Sequence, residues 1–376
     1  MAVGRFALPI SAGAPADPTE GTFIMGYTGG TSYQSGTMIS LDQTVNFVNA
    51  KKWSKISIAA THMVGIWNGE LWVEGLNSNG RIGLGNSTTY KSLQRIGSDS
   101  DWTDCAVGAY SCLAIRAGRL YVTGNNGNGE LGNGSTTAIT SFTQIGSDTN
   151  WSKVSSTSSV YSLAIKNGEL MSCGSNSNYQ TGLNTNTGNT TSWTSASTAE
   201  TFTEISAGAY YGMAVGGGKI YSWGTNGSGR TAQSTSSGTT NIPTQIGSDT
   251  DWSKVSCGFA HSAAIKTTGT LWTVGTGGSG RLGLNNTTQY TSWQQVGSAT
   301  DWEDVSIVNT NTTALSENTY AIKAGGLWGT GTNSFGQLGV TLSTATSNVF
   351  VQIGTATNHT RLVAGHGYVL TVRGTP

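Results

Sequence analysis

A seven-bladed β-propeller is the fold class that the 376-residue sequence predicts, and three observations predict it. A segment of about fifty residues recurs along the chain. Each copy holds four short apolar or alternating runs separated by Gly, Asn, Ser and Thr turns, which is a strand pattern rather than a helical one. The two chain ends read as halves of one further copy.

The repeat opens on an aromatic anchor. The anchors are Trp53-Ser-Lys-Ile56, Trp102-Thr-Asp-Cys105, Trp151-Ser-Lys-Val154, Phe202-Thr-Glu-Ile205, Trp252-Ser-Lys-Val255 and Trp302-Glu-Asp-Val305, spaced 49, 49, 51, 50 and 50 residues apart. Each begins a first strand. A second strand ends in Ala-Ile (Ala114-Ile115, Ala164-Ile165, Ala264-Ile265) and leads to a turn at Gly69, Gly118, Gly168 or Gly269. The third reads LWVEG at 71–75, LYVTG at 120–124, LMSCG at 170–174, IYSWG at 220–224 and LWTVG at 271–275. A Gly/Asn-rich loop and a polar run then lead to a fourth, ending in QRIG, TQIG or QQVG. Gly at 54 positions disfavours helix interiors. Four strands per unit of this length read as a propeller blade, with an open solenoid as the alternative.

The chain ends decide between the two. Residues 361–374 repeat the first hairpin and stop at the Gly turn, while Thr22–Gly26 and a run near Val45–Val48 supply the missing third and fourth strands. One blade shared between the termini removes the open sheet edges of an array. The predicted blades are 53–101, 102–150, 151–201, 202–251, 252–301, 302–358, and 359–376 with 21–52; residues 1–20 remain as an extended arm.

The Gly-rich loops carry the most specific signature: GLNSNGRIG at 75–83, GNNGNGELG at 124–132, GTGGSGRLG at 275–283 and GTNSFGQLG at 331–339. The copies at 174–182 and 224–232 are degraded. With Gly258-Phe-Ala-His261-Ser-Ala-Ala-Ile265, these segments resemble the repeat of the regulator of chromosome condensation family. The resemblance spans residues 21–374 and implies a seven-bladed propeller closed by a blade shared between the termini. The family's founding member is an exchange factor for a small GTPase and binds chromatin, so an intracellular regulatory propeller with a GTPase or other protein partner is one expectation. Unit 6 also carries an insertion, NTNTTALSEN, between Val305 and Ile322.

Composition narrows the function. Lys+Arg and Asp+Glu stand at 19 each, so the chain lacks the cationic excess that nucleic-acid binding requires. No apolar run approaches the length of a spanning helix, and Pro9 interrupts the short apolar stretch that a signal peptide would need. The four cysteines (Cys105, Cys112, Cys173, Cys257) show no CxxC spacing and read as lone buried thiols, although Cys105 and Cys112 lie close enough in sequence to pair across a hairpin.

No catalytic, metal or cofactor site is predicted. His62 and His261 share a repeat position that elsewhere holds Ser111, Tyr161 and Tyr211, which reads as packing between strands rather than a general base. Asp99, Asp101 and Asp104 form a D-x-D-x-x-D run, but Lys153 and Lys254 fill the aligned third position, so turn-making is the better reading than calcium. The Gly-rich loops lack the G-K-[ST] of a phosphate cradle. Trp72, Tyr121, Tyr221, Trp272 and Trp328 recur once per unit and are expected to pack between blades, with a sugar-binding face as the alternative. The arm alternates Phe6, Leu8 and Ile10 among prolines and reads as a partner-binding segment.

The first functional expectation is a non-enzymatic structural platform on a virion surface, docking by its arm onto capsid or tail proteins. It rests on the charge-poor, Thr/Ser/Asn-rich composition. The intracellular regulatory propeller and a carbohydrate-binding module are the alternatives.

Overall fold

The computed structural model describes residues 21–26, 45–46, 53–157, 160–186, 188–196, 198–308, 318–334, 336–340, 344–365 and 368–373. The arm, with Phe6, Leu8 and Ile10, lies outside the described residues, as do His366 and most of the unit 6 insertion.

The chain is an all-β propeller of four-stranded blades. Blade 1 is an antiparallel meander of Trp53–Ile58, His62–Trp67, Glu70–Gly75 and Tyr90–Arg95. Blades 2 to 6 repeat it, opening at Trp102–Val107, Trp151–Ser156, Phe202–Ala207, Trp252–Cys257 and Trp302–Ile307. Blades formed from one continuous stretch therefore number six, and the seventh blade expected from the joined termini is not of that kind. The remaining strands form a sheet of different construction, ordered Val45–Asn46, Gly21–Gly26, Tyr368–Arg373, His359–Gly365. Of its outer strand the described residues are Val45–Asn46, and the blades' outer strands run six to eight residues. That sheet touches the first strands of both blade 6 and blade 1.

Apolar burial lies between blades. One cluster joins Val64, Ile66 and Leu71 of blade 1 to Trp102, Cys105 and Cys112 of blade 2, and equivalent clusters fill each following joint. The last joins Tyr320, Leu327 and Leu338 of blade 6 to Ala364 and Val369 of the terminal sheet. Tyr121, Tyr221, Trp272 and Trp328 belong to these clusters while also lying against the anchor ring of their own blade, as Tyr121 does on Trp102 at 5.2 Å. The four cysteines are free and buried, Cys105 and Cys112 included.

Polar ties reinforce each joint. A serine of one first strand accepts the backbone N–H of the next: Ser57 from Val107, Ser155 from Ala207, Ser206 from Cys257, Ser256 from Ile307 and Ser306 from Ala364, at 2.9–3.0 Å. Blade 2 has Ala106 at this position, and there the Asp104 carboxylate takes the Val154 N–H at 2.8 Å instead. The third residue of these strands alternates in charge around the ring: Lys55, Asp104, Lys153, Glu204, Lys254, Asp304. Lys55–Asp104, Lys153–Glu204 and Lys254–Asp304 are ion pairs at 2.8–2.9 Å, each linking two blades.

Candidate interaction face

The Gly-rich loops are explained by their own hydrogen bonds. In each of five copies an Asn side-chain carbonyl accepts the N–H five residues on: Asn77 from Ile82, Asn126 from Leu131, Asn176 from Thr181, Asn226 from Thr231 and Asn333 from Leu338. Gly80, with φ 71°, is required by the neighbouring blade as well, since a Cβ there would stand 2.3 Å from the Thr140 Cα. The loop is thus a folded plug against the next blade, and in the first copy the Gly80, Ile82 and Gly83 N–H groups are spent internally.

The seventh position of each loop holds a large polar residue: Arg81, Glu130, Gln180, Arg230, Arg281 and Gln337, all buried. Carbonyls hold these arginines. Arg81 donates to Ser78 O at 3.2 Å and Ala109 O at 3.4 Å. Arg230 donates to Thr225 O at 2.9 Å and Phe259 O at 2.7 Å. Burial lowers the pKa of both groups from the ordinary arginine value.

At the same end of the blades, the turns between first and second strands present aromatic rings beside these cations. Tyr110 is 48% exposed with the Arg81 guanidinium 5.0 Å from its ring centre. Tyr210 lies 5.8 Å from Arg230 and edge-on to Phe259 at 6.1 Å. The unit 6 insertion departs from the same turn, between Val308 and Asn318. Tyrosine backed by buried arginine on a rigid rim is the composition of a protein-contact surface.

Below this rim runs a belt formed by the shared His/Ser/Tyr position. The Tyr161 hydroxyl donates to Gly208 O and Tyr211 O at 3.0 and 2.5 Å, and Tyr211 donates to His261 O at 2.8 Å. His261 Nε2 meets Thr319 Oγ1 at 2.8 Å. This is the expected packing role.

The histidines do impose a pH dependence. Burial, with the Arg81 charge adding to it, lowers the His62 pKa to about 3. Burial and Arg373 take His359 to about 4, and burial with Arg281 takes His261 well below the ordinary value. Below about pH 6.5 the unfolded chain protonates these groups and the native chain does not. Their contribution is therefore complete above that pH and is lost as pH falls toward 4 and 3. At pH 5 the loss is on the order of 2 kcal/mol for each of His62 and His359. Glu74, raised by burial to about 7, works in the opposite sense between pH 7 and 4.5. Chemical denaturation of a His62→Gln variant isolates the histidine term: its stability should fall less from pH 7 to pH 5 than the parent's. Equal slopes would mean that native His62 takes up its proton over the same pH range as the unfolded chain.

The carboxylates of the D-x-D-x-x-D run make ion pairs rather than turns. Asp99 and Asp101 face Arg116, and Asp104 holds Lys55. Among the described residues no group of His, Cys, Asp and Glu could hold a metal ion, and no helix is long and apolar enough to cross a membrane.

Comparison with known proteins agrees with this geometry. The family model described as the regulator of chromosome condensation (RCC1) repeat matches residues 217–265, and a second model of that repeat matches 252–281. No curated protein sequence matches the chain. Among solved structures, human WBSCR16 is 15% identical, with 95% of this chain and 100% of that one covered and a TM-score of 0.77. Prp20p from Saccharomyces cerevisiae, described with its binding to Gsp1p and histones, is 13% identical, with 95% and 92% covered and a TM-score of 0.73. Yeast RCC1 (Prp20) bound to Kap60 is 13% identical, with 99% and 96% covered and a TM-score of 0.75.

Proposed function

This chain is an RCC1-like β-propeller, and from that premise we propose that it is a non-catalytic platform that binds a folded protein partner at the rim carrying Tyr110, Tyr210 and Phe259. The observation that carries the proposal is the exposed Tyr110 seated on the buried Arg81, repeated by Tyr210 on Arg230. We further propose that the sheet formed by both chain ends acts as the closing seventh blade, since it touches blades 1 and 6.

The similar propellers favour the intracellular regulatory reading over the particle-surface one. Prp20p is described as binding Gsp1p and histones, and its other structure holds Kap60, so the partners named for that propeller are proteins. The virion reading rested on composition alone and draws no support from any of these relatives. A zero formal charge does not recommend a strongly basic or acidic partner, which leaves a folded partner such as a GTPase.

A photo-crosslinking residue placed at position 110 should trap the partner in cells, and one at exposed Ile242 on the outer strand of blade 4 should not. Replacing both tyrosines, Tyr110→Ala with Tyr210→Ala, should weaken affinity for the trapped protein at least tenfold, at about 1–2 kcal/mol per ring. Adducts from position 242 alone would reject the assigned rim.

A further inference from the structure

At the opposite end of the blades, four of the five anchor Trp residues meet a cation from the end of the second strand. Arg116 lies over Trp102, Lys166 over Trp151, Lys266 over Trp252 and Lys323 over Trp302, at 4.9–5.6 Å. In three of these blades an Asp three residues before the anchor neutralises the cation. Asp99 pairs with Arg116, Asp148 with Lys166 at 3.2 Å and Asp249 with Lys266 at 2.7 Å. Blade 6 has Ala299 at that position. Asp301 remains beside the anchor, yet Lys323 makes no ion pair among the described residues. Its ammonium lies 3.9 Å from the Trp328 ring centre and 5.3 Å from that of Trp302.

A cavity of about 400 Å³ opens at this position between blades 5 and 6, lined by Ala299, Trp302, Lys323, Trp328 and Phe350 among others. The sister blades show what chemistry suits the site: a carboxylate against the cation, beside aromatic rings that meet edge-on. We propose that this cavity is a carboxylate-binding subsite that takes an acidic side chain of a protein partner. The site lies on the opposite rim from Tyr110, so it goes beyond the interaction face proposed above and stands or falls separately. The protein source is favoured by the model that the molecule supplies, an Asp carried on a Ser-Asp-Thr turn in blades 3 and 5. The apolar walls would cover the flanking residue of such a turn.

The test is a titration of the full chain, followed by Trp328 indole NMR, with the peptide Gly-Ser-Asp-Thr-Asp-Trp and a control carrying Asn for both Asp. The acidic peptide should shift the Trp328 signal saturably, and the control should bind at least tenfold more weakly. Ala299→Asp restores the sister-blade pair and should abolish the response while leaving the melting temperature equal or higher. Lys323→Met keeps the apolar stem and should abolish it as well. Equal binding of the Asn peptide, or an unchanged response in folded Ala299→Asp, would overturn the proposal. Acetate binding as tightly as the peptide would also overturn it, by assigning the cavity to a small free carboxylate.

Discussion

Trp223→Ala should destabilise the protein by about 3–5 kcal/mol, the range for emptying a large aromatic from a core. Trp223 is wholly buried in the joint between blades 3 and 4, among Tyr161, Leu163 and Phe202. Two glycines make room for the indole. A Cβ on Gly212 would stand 2.4 Å from it and one on Gly182 would stand 3.0 Å away, so neither neighbour can collapse far into the void. The ring nitrogen also donates to Gln180 O at 2.8 Å, and that carbonyl would lose its partner. A melting temperature lower by on the order of 10 °C is expected from these terms. Thermal unfolding of Trp223→Ala beside Trp223→Phe measures it. A loss below about 1 kcal/mol would mean that the joint repacks, contrary to a close-packed interior.

Deletion of residues 1–26 should be comparably severe. It removes Gly21–Gly26, which pairs with Tyr368–Arg373 in a six-residue register from Gly21↔Arg373 to Gly26↔Tyr368. The pairing strand carries the buried Val369, Leu370 and Val372. With its edge unpaired, that strand loses a ladder and exposes apolar surface worth about 1.5–3 kcal/mol per side chain. The expected result is a melting temperature lower by on the order of 5–10 °C, with aggregation at the freed edge. Deletion of residues 1–18 alone leaves this register intact and should melt as the parent does. If both truncations melt alike, the terminal sheet does not close the ring.

The strand order of every blade was legible because each strand sits in a repeat whose anchors recur at near-constant spacing. Register followed from the Gly turns. Where the reading fell short, the signal was distributed across blades rather than within one. Lys55, Asp104, Lys153, Glu204, Lys254 and Asp304 look unrelated in their own units, and only alignment reveals the alternating sign that pairs one blade with the next. Read singly, Asp99 and Asp101 resembled turn residues, because their partner Arg116 comes from a later strand of the same blade. Ala299 carries no signal alone; its meaning comes from Asp99, Asp148 and Asp249 in the sister blades. The proposed rim was not legible for another reason. Tyr110 and Arg81 lie 29 positions apart on different blades, and the cation is oriented by backbone carbonyls that no motif displays.

Hydroxyl-radical footprinting of the protein alone and in its purified partner complex tests the assigned face most directly. The account predicts that Tyr110, Tyr210 and Phe259 become strongly protected on binding while Ile242 keeps its oxidation rate. Unchanged oxidation of Tyr110 and Tyr210 in the complex would contradict it.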